Sequence, residues 1–75
     1  MNLYFQHSDG SYEYICPVHD VIDASNLGDA IKLALKDLHE RNPHFQVYYI
    51  RTWKHENSFI MDVGSHTEFY VVKEG

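Results

Sequence analysis

Six histidines, one cysteine and eleven acidic residues are the groups in this 75-residue chain that could hold a metal or move a proton. Their spacing supports little of that chemistry. A zinc site needs close-spaced ligands, whereas His7, His19, His39, His44, His55 and His66 are dispersed, mostly in turns and linkers, and Cys16 has no Cys-x-x-Cys partner. Cys16 and His19 have the types of a nucleophile and a base, but Pro17 lies between them and no third group orients the imidazole. Asp20 with Asp23, and Asp62 with Glu68, are paired carboxylates without a surrounding pattern. A cleft deep enough to exclude water and shift their proton affinities is hard to build in so short a chain. The glycines are scattered and form no phosphate-binding loop. These residues predict no catalytic centre, no metal and no cofactor.

A stronger grouping is Arg51, Trp53, His66, Thr67 and Glu68. Arg51 sits mid-strand on the face that carries Trp53. Facing the helix, it must pair with an acid such as Asp62 or Glu68. Facing solvent, Arg51 and Trp53 make a cation–aromatic site for a flat or anionic ligand. His66 and Thr67 follow Gly64-Ser65, so their donors gather at one strand end, where a phosphate could be gripped.

The elements that position these residues follow from periodicity. Leu3 to Gln6 and Tyr12 to Cys16 read as two strands turned at Asp9-Gly10, and Pro17 ends the second or sets it at an edge. Asn2 to Gln6 also coincides with most of a common protease-tag sequence. Met1 stands where the tag would carry Glu, which favours a native strand over the alternative of a tag-derived segment at residues 1–6. Leu27, Ile31, Leu35 and Leu38 form one stripe of a helix from about Leu27 to Arg41, capped by Asn26 and stopped by Asn42-Pro43. Phe45 to Lys54 alternates as a third strand. Phe59 to Val63 is a fourth after the turn at His55 to Ser58, and Thr67 to Val72 a fifth. The expectation is a single two-layer α+β domain: an antiparallel meander in the order ββαβββ, with one amphipathic helix on one sheet face.

One helix of ~15 residues, ~22 Å long and ~10 Å wide, covers about half of one face of a five-stranded sheet. Tyr4, Tyr14, Tyr48, Ile50, Ile60, Tyr70 and Val72 then need a second home. They predict a Tyr-rich contact face, suited to a partner or to a homodimer. Tyr48, Arg51, Trp53, His66, Thr67, Glu68 and Tyr70 are the expected binding residues.

Composition narrows the classes further. Hydrophobic residues at 44% and aromatics at 15% are too abundant for a disordered tail. A net charge of −5 argues against direct nucleic-acid binding, although Tyr48, Tyr49, Arg51, Trp53 and Lys54 offer stacking and basic groups. No apolar run is long enough to span a membrane or form a secretory core. The lone cysteine fits a reducing cytoplasm.

The run Tyr48-Tyr49-Ile50-Arg51-Thr52-Trp53, followed by Asp62-Val63-Gly64-Ser65-His66-Thr67-Glu68-Phe69-Tyr70-Val71-Val72-Lys73, resembles small accessory proteins of tailed phages and prophages of Gram-positive bacteria. It covers roughly the last 30 residues well and the N-terminal hairpin loosely. The resemblance implies a protein made in the host bacterial cytoplasm. The leading expectation is a non-enzymatic inhibitor of a host or defence factor, of anti-CRISPR type, acting by protein contact. Alternatives are an oligomeric sponge for a nucleotide-type immune signal and a ligand-free structural or assembly module.

Overall fold

A computed structural model describes residues 1–75. Its elements run β1 (Asn2–Gln6), β2 (Tyr12–Pro17), α1 (Ala30–Arg41), β3 (Arg51–His55), β4 (Ser58–Asp62) and β5 (Phe69–Lys73), the expected ββαβββ order. The five strands form one antiparallel sheet in the spatial order β2-β1-β5-β4-β3. This is a two-layer α+β fold.

The sheet is not a simple meander. β3, β4 and β5 are consecutive neighbours, but β5 then pairs with β1, so the first and last strands lie side by side. The chain from β2 to β3 crosses from one sheet edge to the other, and α1 is part of that crossing. Pro17 ends edge strand β2, where its missing N–H leaves no ladder bond unmade.

Alternation sorts the strands into two faces. Leu3, Phe5, Phe59, Met61, Tyr70 and Val72 share the helix side and join Val18, Leu27, Ala30, Ala34 and Leu38 in the core. The fully buried line of the helix is Ala30, Ala34 and Leu38, while Ile31 and Leu35 are half-buried.

Three boundaries differ from the sequence expectation. The helix begins at Ala30 because Gly28 adopts φ 60°, a left-handed conformation that cannot belong to a right-handed helix. Asn26 is therefore no N-cap; its Oδ1 accepts the Gly28 N–H at 3.1 Å. Asp29 precedes the helix but accepts from the His19 N–H at 2.8 Å, tying the linker to the helix start. The expected long third strand shrinks to β3. Arg51 pairs with Asp62, but beyond it Gly64 at φ 95° turns the partner chain away, and residues 45–50 have no strand to pair with. Their alternation survives as packing: Phe45, Val47 and Ile50 lean on the core without joining the sheet. The fifth strand likewise starts at Phe69, since His66 at φ 64° interrupts the extended run.

Candidate functional site

The expected constellation is divided between the two faces of the sheet. Arg51 donates from Nη2 to Asp62 Oδ2 at 2.7 Å, the cross-strand pair that the register Arg51↔Asp62 brings together. Asp62 is only 5% exposed and also accepts the Gly64 N–H at 2.8 Å, so both donors hold its carboxyl below the usual range, Arg51 first. Trp53 lies on the same helix-free face, edge-on to Phe69 with ring centres 6.4 Å apart. His66 and Thr67 are exposed in the loop before β5, where the Thr67 N–H donates to the Ser65 carbonyl at 2.7 Å. Glu68 lines a cleft on the helix side instead. Tyr48 is 84% exposed in the irregular segment before β3, its hydroxyl donating to Gln46.

Tyr70 corrects the expectation outright. It is 1% exposed and belongs to the helix-side core, because Tyr70 pairs across with Phe5 on one side and Met61 on the other. Its hydroxyl donates to Asp37 Oδ2 at 2.7 Å. Burial first, and the Asp37 carboxylate next, push its ionisation far above the ordinary phenol range. Val72 is likewise interior.

A helix-free face with aromatic rings is nonetheless present. Tyr4 sits between Tyr14 of β2 and Val71 of β5, and Val71 in turn faces Ile60 of β4. Tyr4 meets Tyr12 and Tyr14 edge-on at 6.1 and 5.7 Å. The Lys73 ammonium lies 4.1 Å from the Tyr12 ring centre and 4.9 Å from that of Tyr4. Val71 is wholly buried although it stands outside the helix-side core cluster. Tyr12, Tyr14 (56% exposed) and Trp53 (39%) present apolar surface to solvent around it. The sequence reading placed Tyr4 and Tyr14 on this face but missed Tyr12 and Lys73. The signal available was their i, i+2 relation to Tyr14 and Val71.

The second feature, missed from sequence, is a cleft of about 470 Å³ where the C-terminal end of α1 meets β1, β5 and the loops beside them. Phe5, Phe45, Tyr70, Leu38 and Val63 supply apolar lining, and His7, Arg41, Asn42, Ser65 and Glu68 the polar groups. Arg41 is already engaged. Its Nη2 donates to Glu13 Oε2 at 2.6 Å, its Nε donates to Asp37 one helical turn back, and its guanidinium lies 4.1 Å from the Phe5 ring centre. His7 Nε2 lies 3.0 Å from the other Glu13 oxygen. Glu13 titrates below the usual carboxylate range, through Arg41 first and His7 second. The i, i+4 spacing of Asp37 and Arg41 was the visible hint of this network.

Other candidate chemistry does not assemble. No three His, Cys, Asp or Glu side chains come together to hold a metal ion. Cys16 is half-buried, and burial with the nearby Asp29 and Asp37 charges raises its thiol above the ordinary range, which works against a thiolate nucleophile. His19 is exposed, its Nδ1 3.6 Å from Asp29. No helix is long and apolar enough to cross a membrane.

The fold and its surfaces define a class: a small α+β domain with one sheet face covered by a helix, the other open and aromatic, and one cleft at the helix end. Comparison with protein-family models, with curated proteins and with solved structures finds no match to the chain.

Proposed function

We propose that this chain is a non-enzymatic binding protein that acts by protein–protein contact through its helix-free sheet face. The observation that carries this reading is the solvent exposure of Tyr12, Tyr14 and Trp53 around the buried Val71. Tyr and Trp supply large contact area at little cost in side-chain entropy, and they dominate the energetic centres of protein interfaces. The resemblance of roughly the last 30 residues to phage accessory proteins supports a host or defence factor as the partner that this chain inhibits, in the bacterial cytoplasm. A net charge of −5 would help such an inhibitor displace nucleic acid from a basic groove.

The nucleotide-sponge alternative finds less support. Within one chain, Arg51 is matched by Asp62 and Arg41 by Glu13 and Asp37, so neither guanidinium stands free for a phosphate.

The test is binding of the purified chain to a panel of purified CRISPR effector nucleases, with Tyr14→Glu and Trp53→Ala as probes and light scattering run in parallel. The expected result is micromolar or tighter binding that displaces DNA and weakens about tenfold or more in either variant, in line with aromatic anchors elsewhere. Absence of binding to any effector, with dimerisation abolished by Tyr14→Glu, would favour the assembly-module reading. A strictly monomeric chain with no partner would overturn the contact role altogether.

A further inference from the structure

We infer that the cleft at the end of α1 is a receptor for a guanidinium group, an arginine side chain of the partner protein. The inference rests on the protein-contact reading above and adds a second, chemically specific anchor to it.

The argument begins with charge. Arg41 and Glu68 both line the cleft, and the Arg41 guanidinium is held by two carboxylates outside the lining, Glu13 and Asp37. Glu13 and Asp37 already neutralise Arg41, whereas Glu68 enters none of the chain's five salt bridges. The cleft therefore carries an unmatched carboxylate and lacks a free cation, which disfavours an anionic occupant.

Shape and lining select among cations. Phe5, Phe45 and Tyr70 line a space of about 470 Å³, within the usual range for ligand pockets, and Phe45 is the ring among them that is only partly buried. The protein itself demonstrates what this lining accepts: the Arg41 guanidinium packs 4.1 Å from the centre of Phe5. A planar, weakly hydrated guanidinium stacks on aromatic rings and meets a carboxylate with two parallel N–H bonds, which a compact ammonium cannot do. An entering arginine would lay its stem along Phe45 and place its fork on Glu68, beside Ser65 in the cleft lining.

The experiment titrates the intact chain with N-acetyl-arginine amide, N-acetyl-lysine amide, N-acetyl-norleucine amide and inorganic phosphate, followed by amide chemical shifts. The arginine compound should bind saturably in the low-millimolar range, tighter than lysine, with norleucine and phosphate inert. Shifts should gather at Phe5, Ser65, Glu68 and Tyr70. Glu68→Gln should weaken binding about tenfold, as expected for loss of a charge-assisted pair. Phe45→Leu, which keeps apolar volume but removes the ring, should weaken it as well, and Glu74→Gln should not. Binding of phosphate in place of arginine, equal binding of norleucine, shifts confined to Tyr12, Tyr14 and Trp53, or indifference to Glu68→Gln in a chain that still melts normally would each overturn the inference. The contact reading fails separately: it depends on Tyr14 and Trp53, so a partner lost in those variants but unaffected by Glu68→Gln would retain the sheet face and discard the pocket.

Discussion

The Tyr70 hydroxyl donates to Asp37 Oδ2 at 2.7 Å, joining the fifth strand to the helix across the core. The same Asp37 carboxylate accepts from Arg41, whose guanidinium continues to Glu13 on β2. One polar chain thus ties both layers together at the end of the molecule where the cleft opens.

That arrangement makes its two ends unequal. Tyr70→Phe removes one hydrogen bond and leaves Asp37 held by Arg41, a loss of about 1 kcal/mol. Asp37→Ala leaves the buried Tyr70 hydroxyl without an acceptor and removes a partner of Arg41, a loss of about 2–3 kcal/mol. Urea unfolding should show the lower midpoint for Asp37→Ala; equal midpoints would contradict the geometry.

Alkaline titration reads the same bond by another route. Five of the six tyrosines lie outside the fully buried set and Tyr70 lies within it. Burial and Asp37 raise its ionisation in the folded state, so its contribution to stability is intact below the unfolded phenol value of ~10 and falls as pH rises past it. The phenolate absorbance of Tyr70 should develop only together with unfolding. In Asp37→Asn its ionisation should move down.

Acid works on Asp62 with the opposite sign. Its folded carboxyl lies below the ordinary value near ~3.9, so the unfolded chain takes up the proton first. Its contribution is complete above that value and is lost as pH falls toward its folded value. Asp62→Asn should therefore be less stable than the parent at pH 7 and converge with it near pH 2, measured by chemical denaturation across pH. A constant gap at every pH would separate this residue from acid unfolding.

Two glycines with positive φ should respond differently to one methyl group. At Gly28 an added Cβ would lie 2.0 Å from the His19 carbonyl oxygen, and φ is 60°. At Gly10 nothing lies within 4 Å, so only the left-handed conformation is penalised. Gly10→Ala should cost about 1 kcal/mol and Gly28→Ala at least twice that, with the helix start displaced. Comparable thermal shifts in the two variants would contradict the close packing of the linker on residue 28.

Local patterns were legible where the physics is local. The Asp9-Gly10 reversal, the helix stop at Asn42-Pro43 and the alternation of β4 and β5 depend on neighbours in the chain, and the strands and helix appear where those patterns stand. The pairing of Arg51 with Asp62 was readable as one of two acids within reach of the neighbouring strand. Tyr70 was misplaced because the face of a strand depends on which strands flank it, and the β1–β5 pairing joins opposite ends of the chain. Residues 45–50 alternate as a strand should, yet pairing needs a partner edge, and the turn at Gly64 removes it.

The amino-acid pattern by itself determined that this chain folds into strands and one amphipathic helix, and that the helix is too small to shelter every aromatic side chain. Hydrophobic periodicity and turn chemistry are short-range, so they can be read along one dimension. Only the tertiary structure decided that Tyr12 joins Tyr4 and Tyr14 on the open face while Tyr70 is buried, and that Phe5, Arg41, Phe45 and Glu68 meet around a cleft. Those groupings come from long-range strand order and from the crossing of the helix between opposite sheet edges, which no neighbour-to-neighbour rule encodes.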